Sequence, residues 1–410
     1  DISGVGTLTA TDVTVSGTVD AGAVNANEAT IDPASDAPIN YPYGVEKLRS
    51  QGYFVGVGDG IVSVVDPATT TTPIMDTQAD IKTSGTDVGT LCFPTTEAKI
   101  QETGPIYAEH RVRWNVGERS LVEITGSGND GLVLDSSQAP NSPSINTILF
   151  SITGGRLRIS HANGPTGNTG DGLRIESNLL NSVWTAYVIL ADWHGNGFID
   201  NSASYQSIIH GIQTANCNPR DSAQNYCAVF NSGGAPYVIN HLSFAPYDDG
   251  STYVRGVRFK GGADPHIGEL SMGGPIGQAV NISLPGQDGV TIDRINFEPG
   301  SDYGPTQVVY MATPRKADIG HLCLFDPPMT IEAGYEVSGV ARARFGSISV
   351  QGTPTINNLF KVSGDTKAAT NGGSTSLVYH GKSSECVNTS GTSPLTEPIN
   401  CLGDLAQFSG

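Results

Sequence analysis

One pattern recurs along most of this chain: a short apolar segment followed by a turn rich in glycine, asparagine or aspartate. Between about residues 105 and 352 the apolar segments are built from Val, Ile, Leu and Phe, and no helical periodicity competes with them. Examples are Leu157-Arg158-Ile159, Gly172-Leu173-Arg174-Ile175, Gly197-Phe198-Ile199, Ile267-Gly268-Glu269-Leu270 and Phe345-Gly346-Ser347-Ile348. The chain is therefore expected to be all-β, with many short strands separated by tight turns.

The spacing of these segments favours a solenoid over a sandwich. A Gly-x-apolar motif returns at intervals of about 20 to 30 residues, which is typical of one turn in a repeating coil. An antiparallel sandwich is the structural alternative, but a sandwich of this length would not repeat one motif so often. The sequence therefore predicts a right-handed parallel β-helix over residues 105–352, with inward Val, Ile, Leu and Phe stacked between coils.

The regions on either side of the repeat differ in composition. Residues 1–37 alternate small or apolar residues with polar ones and contain almost no large side chains, so they cannot bury a core alone. They are interpreted as a fibre-like stem that winds with copies of itself in a homotrimer, the alternative being a flexible linker. Residues 38–104 form a connecting region and N-terminal cap. Residues 353–410, rich in Gly, Ser, Thr and Asn, form a small C-terminal cap or a trimer-contact region.

A solenoid needs a cap, because its open end would expose the core and unpaired strand edges. Asp76 can cap a short helix that holds Ala79 and Ile81, and Gly85 can end that helix. The strand Gly89-Thr90-Leu91-Cys92-Phe93-Pro94 follows at once. Helix, glycine turn and strand together predict the closure of the first coil.

Charge and hydropathy restrict the partners. The formal net charge is −18, which disfavours nucleic acid and anionic membranes as partners. No run of 18 apolar residues is present, so no membrane insertion is expected. The chain has neither an initiator Met nor a signal-like start, which suggests a processed chain or one lacking upstream residues. Asp exceeds Glu and Arg exceeds Lys, a balance typical of high-salt habitats and also of ordinary acidic extracellular proteins.

Six cysteines allow up to three bridges in an oxidising compartment. The natural local pairs are Cys217 with Cys227 and Cys386 with Cys401, the second being expected before the first. Cys92 and Cys323 lie in apolar strand-like runs and are expected to be buried thiols. No Cys or His spacing suggests zinc, and neither a metal nor another cofactor is predicted.

The stretch from Asp76 to about Val350 resembles the pectate-lyase-like β-helix superfamily, and within it spike and fibre proteins of tailed viruses. The resemblance rests on the cap segment Ala79–Pro94 and on Gly170-Asp171-Gly172-Leu173-Arg174-Ile175 and Gly195-Asn196-Gly197-Phe198-Ile199. The acidic balance is similar to that of haloarchaeal virus proteins. The resemblance implies a homotrimer that recognises, and in some relatives cleaves, a surface glycan.

Glycan cleavage requires two carboxylates facing one groove. Asp192 and Asp200, helped by His194, are the candidate catalytic residues, and Trp193 is a candidate sugar-stacking ring. The competing interpretation is that both aspartates are turn residues that satisfy backbone groups. Further candidate glycan-binding residues, each of which can also be a turn residue, are Asp171, Glu176, Asp248 and Asp249.

Two other short patterns resemble parts of family signatures. Asp248-Asp249 resembles the acid pair of polygalacturonase-like β-helices, but the following His-Gly is missing. Asp264-Pro265-His266 resembles part of an alginate epimerase signature, but Ile267 stands where that signature has an acidic residue. Solvated turns explain both patterns better.

The expected function is that of an extracellular, virion-surface spike or fibre that attaches to host polysaccharide or glycoprotein glycan. Its stem would join other virion proteins. Within this class, a pure adhesin and a depolymerase (a glycoside hydrolase or lyase) stay open. The alternatives outside it are a free secreted polysaccharide lyase, hydrolase or epimerase, and a purely structural virion protein.

Overall fold

The computed structural model describes residues 61–65, 67, 70–83, 89–93, 99–138, 147–202, 207–218, 226–231, 238–247, 254–260, 264–274, 276–283, 289–299, 307–312, 316–325, 330–338, 343–351, 355–363, 377–378, 382–389 and 401–402. From residue 330 onward the backbone alone is described, apart from the side chain of Ser349. The predicted stem, residues 1–37, lies outside the described residues.

Within these residues the chain forms one helix and a long series of short strands. The helix is α1 (Pro73–Thr83). The strands are β1 (Ile61–Val64), β2 (Gly89–Cys92), β3 (Ile100–Glu102), β4 (Ile106–Tyr107), β5 (Val112–Val116), β6 (Ser120–Ile124), β7 (Leu132–Leu134), β8 (Thr147–Ile148), β9 (Ser151–Gly154), β10 (Arg156–His161), β11 (Leu173–Ile175), β12 (Asn178–Leu179), β13 (Val183–Ala191), β14 (Phe198–Asp200), β15 (Ile208–Cys217), β16 (Tyr226–Phe230), β17 (Val238–Pro246), β18 (Val254–Phe259), β19 (His266–Gly274), β20 (Ile276–Ser283), β21 (Gly289–Pro299), β22 (Gln307–Ala312), β23 (Lys316–Phe325), β24 (Thr330–Ser338), β25 (Ala343–Gln351), β26 (Thr355–Ser363), β27 (Leu377–Val378), β28 (Lys382–Thr389) and β29 (Cys401–Leu402).

Two long sheets run along the solenoid, and a shorter third sheet lies in its first coils. Sheet A has the order β1-β2-β5-β9, sheet B the order β3-β6-β10-β13-β15-β17-β19-β21-β23-β25, and sheet C the order β4-β7-β11-β14-β16-β18-β20-β22-β24-β26-β28. From β13 to β26 the chain alternates between sheets B and C. Every pairing in sheets B and C is parallel. The parallel β-helix is confirmed, and the antiparallel sandwich is excluded for this part of the chain.

Equivalent residues of successive coils stack in columns inside the solenoid. In sheet B one buried column reads Leu157, Val188, Ile212, Leu242, Leu270, Ile295 and Leu322. In sheet C the matching column reads Leu132, Leu173, Phe198, Ala228, Val257, Val280 and Val309. Because side chains alternate along a strand, the residues directly before and after each column position point to the opposite face of the sheet.

Aromatic rings extend the core in the first coils. Phe93, Trp114, Phe150 and Trp184 form a chain of ring contacts with centroids 5.2, 5.1 and 5.9 Å apart. All four rings are buried. Tilted and edge-on aromatic pairs at this separation add stability beyond the area they bury.

Helix α1 forms the N-terminal cap, and it begins three residues before the predicted capping residue. Thr72 precedes the helix, and its hydroxyl donates to the carboxylate of Asp76 at 3.2 Å. Asp76 is therefore an acid of the first turn and not the N-cap, because Pro73 already occupies a helical position that needs no N–H donor. Ile74 and Ile81 are buried, whereas Ala79 is exposed; Gly85 lies outside the described residues.

The cysteines divide between one bridge and two thiols in the described part of the chain. Cys217 at the end of β15 is bonded to Cys227 in β16, with Cα atoms 5.7 Å apart. Cys92 and Cys323 are buried thiols. The side chains of Cys386 and Cys401 lie outside what the structure describes. No helix among the described residues is long and apolar enough to span a membrane.

Candidate functional site

The predicted catalytic pair is split by the turn between sheets B and C. Asp192 follows β13 in a left-handed conformation, φ 67°, and its carboxylate accepts hydrogen bonds from Arg158 at 3.3 Å and Asn216 at 2.8 Å. Asp200 lies in β14 and is 2% exposed, in register with the buried Ile175 and Phe230. Asp192 is thus partly exposed, whereas Asp200 is buried within its strand.

Asp200 instead closes a turn. Its Oδ1 accepts hydrogen bonds from the backbone N–H and the hydroxyl of Ser202, both at 2.8 Å. Trp193 is fully buried, with its ring edge-on to His161 at 5.3 Å between centroids. In this conformation the indole packs the core and cannot stack on a sugar. The half-buried His194 is tied to Asn168, which accepts from its backbone N–H at 3.1 Å.

The other two candidates of this region do meet, on the outer side of sheet C. Arg174 binds Glu176 at 2.6 Å and Asp130 at 2.8 Å, and lies 3.9 Å from Asp171. Burial and then the neighbouring Asp130 raise the pKa of Asp171 to about 6, although the backbone N–H of Asn196 donates to it at 2.7 Å. We call Asp130, Asp171, Arg174 and Glu176 the Arg174 cluster.

The remaining candidates give no second acid pair among the residues that the structure describes. Asp248 and Asp249 lie outside the described residues. Asp264 accepts a hydrogen bond from the backbone N–H of Gly289, as a turn residue does. His266 lies 2.8 Å from the carboxylate of Asp293, on the next strand of sheet B.

A column of polar side chains on the outer face of sheet B was missed by the sequence analysis. In register, neighbouring strands place Arg156, Tyr187, Gly211, His241, Glu269, Arg294 and His321 side by side. We call Tyr187, His241, Glu269, Arg294 and His321 the polar ladder. Neighbouring strands lie about 4.8 Å apart, so the ladder presents a new functional group at each step along the solenoid except at Gly211.

Tyr187 begins the ladder and lies flat on the sheet. A Cβ atom on Gly211 would approach two ring carbons of Tyr187 to 2.5 Å, so the ring covers this glycine. The phenol oxygen is 3.4 Å from the hydroxyl of Ser243, and the ring centroid is 5.8 Å from that of His241. The guanidinium of Arg156 lies 6.0 Å from the same centroid. A half-buried ring is thus held along the surface with a polar rim.

Glu269 and Arg294 are linked through the adjacent outward column. The carboxylate of Glu269 accepts hydrogen bonds from Ser271 and Asn296, each at 2.8 Å. The side chain of Asn296 in turn accepts from Nε of Arg294 at 2.9 Å. This chain of contacts fixes the orientation of both charged groups before any ligand arrives.

Two histidines complete the ladder. Nε2 of His321 lies 3.0 Å from the Ser349 hydroxyl, and burial, then the nearby Arg294, lower the pKa of His321. His321 is therefore neutral around pH 7. Nε2 of His241 is buried and has no hydrogen-bond partner among the described residues. This nitrogen is enclosed within the ladder and is not exposed to solvent.

A sequence signal for the ladder exists. Five motifs of the form Ile-x-x-Leu/Ile recur in sheet B; in Ile209-His210-Gly211-Ile212 the third position is Gly211, and in the other four it is a ladder residue. These four are Ile239-Asn240-His241-Leu242, Ile267-Gly268-Glu269-Leu270, Ile292-Asp293-Arg294-Ile295 and Ile319-Gly320-His321-Leu322. Aligning the two isoleucine or leucine positions would have put these polar residues on one face.

No family model, curated protein or solved structure matches this chain. Among the described residues, no group of three or more His, Cys, Asp and Glu side chains could hold a metal ion. The class is therefore set by the fold: a parallel β-helix protein with an ordered polar outer face on sheet B. The site chemistry comes from the residues alone.

Proposed function

We propose that this chain is an extracellular glycan-binding protein of the spike or fibre type, carried at a virion surface, and that it holds host glycan on the outer face of sheet B. The observation that carries the proposal is Tyr187 lying over Gly211 at the start of the polar ladder. An aromatic ring with an apolar face and a polar rim suits a sugar, whose C–H face is apolar and whose edge carries hydroxyls.

The ladder supplies the groups that hydroxyls need. Glu269 and Asn296 offer acceptors, and Arg294 offers donors. Because these groups come from successive strands, an extended glycan could contact several of them at once along the solenoid. A flat β-sheet face with fixed polar groups suits binding to such a chain.

Depolymerase activity is a second candidate, favoured by one observation. Asp171 has a pKa of about 6 next to Asp130 and Glu176, and a raised pKa is what a general acid requires. Its carboxylate is held by a backbone N–H and lies near Arg174, which also suits a structural role. The ladder contains one carboxylate, that of Glu269, whereas glycoside hydrolysis commonly uses two carboxylates. Binding is accordingly the function we favour.

The virion setting and the trimer belong to the same proposal. Residues 1–37 have too few large apolar side chains to bury a core in one chain, which favours winding of three copies. Such a stem would join the solenoid to other virion proteins. A net charge of −18 would keep the assembly soluble outside the cell.

The test is glycan-array binding followed by calorimetry on the best ligand. We expect wild type to bind a subset of glycans, and Tyr187→Ala and Glu269→Gln each to weaken binding by about tenfold, since each removes contacts worth roughly 1–1.5 kcal/mol. Tyr310→Ala, on β22 of sheet C, is the matched aromatic control and should bind as wild type does. Equal binding by all four proteins would place the site elsewhere. Release of reducing ends would instead favour the depolymerase.

A further inference from the structure

A second polar centre lies on the outer face of sheet C, away from the ladder strands of sheet B. Two arginines of β18, Arg255 and Arg258, lie over the ring of Tyr226 in β16, with guanidinium carbons 5.5 and 5.7 Å from the ring centroid. Tyr226 is fully buried, and its hydroxyl reaches two strands along the sheet to β20. There it donates to Gln278 at 3.0 Å and accepts from Asn281 at 2.9 Å.

This arrangement fixes both arginines through one ring. Nη1 of Arg255 also lies 3.4 Å from the Tyr226 hydroxyl, and Asn281 donates to Gln278 at 3.0 Å. The backbone carbonyl of Tyr226 accepts from the side chain of Asn196 at 2.5 Å, and the next residue, Cys227, is bridged to Cys217. The ring is therefore anchored at both ends, and the two guanidiniums are held near each other by their contacts with it.

No carboxylate neutralises this pair among the described residues. Arg174, which shares an outward column with Arg258, shows the contrast: it binds Asp130 and Glu176 directly. Nε of Arg258 is buried and has no hydrogen-bond partner in the described part of the chain. Two fixed like charges repel, and a buried guanidinium N–H without an acceptor is costly. A chain with 40 acidic residues against 22 basic ones would be expected to supply a counter-charge.

We propose that Arg255 and Arg258 form an oxyanion-binding site on sheet C, which accepts a carboxylate or sulfate group. Each guanidinium presents paired N–H donors that match two oxygens of such a group. Binding would remove the repulsion between the arginines. The amide of Gln278 stands beside the pair and can contact the neighbouring part of a ligand. The site is independent of the ladder and does not require the proposed glycan platform.

The oxyanion could be carried by an acidic sugar or could be a free ion, and the experiment separates the two. Calorimetric titrations at low ionic strength use sodium sulfate, sodium acetate, sodium glucuronate and glucose as probes. Wild type should bind sulfate and glucuronate and should not bind glucose. Glucuronate binding more tightly than both acetate and sulfate identifies a sugar-borne ligand, whereas sulfate binding more tightly than both carboxylates identifies a free inorganic ion. Binding should weaken as salt rises.

Variants at the pair test the assignment. Arg255→Gln with Arg258→Gln should weaken sulfate and glucuronate binding by at least about tenfold, because two charge-assisted contacts are lost. Arg258→Lys keeps the charge but loses the paired N–H donors of the guanidinium. Its anion affinity should therefore lie between those of wild type and the double Gln variant. Lys260→Gln, an exposed neighbour with the same change in charge as one arginine variant, should bind as wild type does. Thermal melting of each variant checks that the solenoid is intact.

Several results would overturn the site. One is a wild type that binds none of the three anions, and another is a double Gln variant that melts normally and binds them unchanged. A third concerns Asp248 and Asp249, which precede β18 in the sequence. If wild type binds no anion but Asp248→Asn with Asp249→Asn does, an internal carboxylate occupies the pair and the site is structural.

Discussion

At the scale of single residues, a glycine that lacks a side chain is as important to the outer face of sheet B as the polar side chains around it. Strand β15 places Gly211 in the column where its neighbours place Tyr187 and His241. The missing Cβ makes room for the tyrosine ring to lie along the sheet, where any larger residue would push it outward. The flat platform thus depends on a glycine that contacts no ligand itself.

This dependence predicts the effect of Gly211→Ala. The added Cβ would meet two ring carbons of Tyr187 at 2.5 Å, so the ring must lift from the sheet. Glycan affinity should fall about as far as in Tyr187→Ala, roughly five- to tenfold. The free energy of unfolding should change by less than about 0.5–1 kcal/mol, since alanine suits a strand interior better than glycine. Calorimetry on the glycan and chemical denaturation measure the two effects.

Gly273→Ala is the matched control, because a Cβ there meets its nearest neighbour at an ordinary 3.7 Å. It should leave both affinity and stability unchanged. A Gly211→Ala variant that binds as wild type does would show that the orientation of Tyr187 is irrelevant to the ligand.

The sequence predicted which residue types were available but not which face each would occupy. Asp192, Trp193 and Asp200 are close in sequence, yet they span the turn from sheet B to sheet C. Asp192 is on the surface, whereas Trp193 and Asp200 are buried. A shift of one position in a strand reverses the face of every side chain. Because the sequence does not give the shape of the turn, it cannot predict which face the side chains after that turn occupy. The ladder could not be inferred from local clustering either, because its members lie about one coil apart.

At the scale of elements, the cap helix α1 shows how a polar interior can be built. The presence of this helix, and of the strand Gly89–Cys92 after it, could be predicted from turn residues and apolar spacing, although the helix begins three residues before Asp76. Its buried polar contacts could not. Gln78 is fully buried, accepts from the Trp114 indole at 3.0 Å and donates to the Tyr107 carbonyl at 2.9 Å. Such contacts depend on partners about 30 residues away, which periodicity does not reveal.

Glu102 makes the docking of this cap depend on pH. Its carboxylate accepts hydrogen bonds from the backbone N–H groups of Ile74 and Met75 at the start of α1, and its Oε2 is buried with no hydrogen-bond partner among the described residues. Burial raises the pKa of Glu102 to about 7, despite those two N–H groups. The folded state thus holds a proton that the unfolded state loses at lower pH.

The sign of the effect follows from that difference. Between the unfolded pKa near 4.5 and the folded pKa near 7, the folded chain binds more protons, so stability falls as pH rises through this window. Glu102→Gln should remove this slope and be more stable than wild type at pH 8, by on the order of 2–3 kcal/mol. Chemical denaturation of wild type and Glu102→Gln at pH 5 and pH 8 measures this difference in the free energy of unfolding. Parallel pH profiles for the two proteins would show that Glu102 does not titrate as stated.

At the scale of the whole molecule, the solenoid separates its chemistry by face. Sheet B carries the ladder, and sheet C carries the Arg174 cluster and the pair Arg255 and Arg258. The periodic fold was predictable because every coil repeats the same apolar motif. The positions of the charged residues were not predictable, because outward positions are free of the packing constraint that shapes the core. Parallel pairing also continues past residue 352 into β26 and β28.

The stem gives the prediction that involves the whole chain. If residues 1–37 wind as a trimer, their removal should convert a trimer into a monomer while leaving the solenoid folded, because the core columns lie within one chain. Affinity for a single soluble glycan should not change. Binding to a multivalent glycan surface should fall by about a hundredfold or more, since three linked sites gain avidity through effective concentration.

Light scattering with size exclusion measures the mass of the full chain and of the chain lacking residues 1–37, and surface-immobilised glycan at two densities measures avidity. The loss should be large at high density and small at low density, because sparse ligands cannot engage two sites of one trimer. A full-length chain that is monomeric at micromolar concentration would refute the trimer. A truncated chain that remains trimeric would instead place the subunit contacts in the solenoid or in residues 353–410.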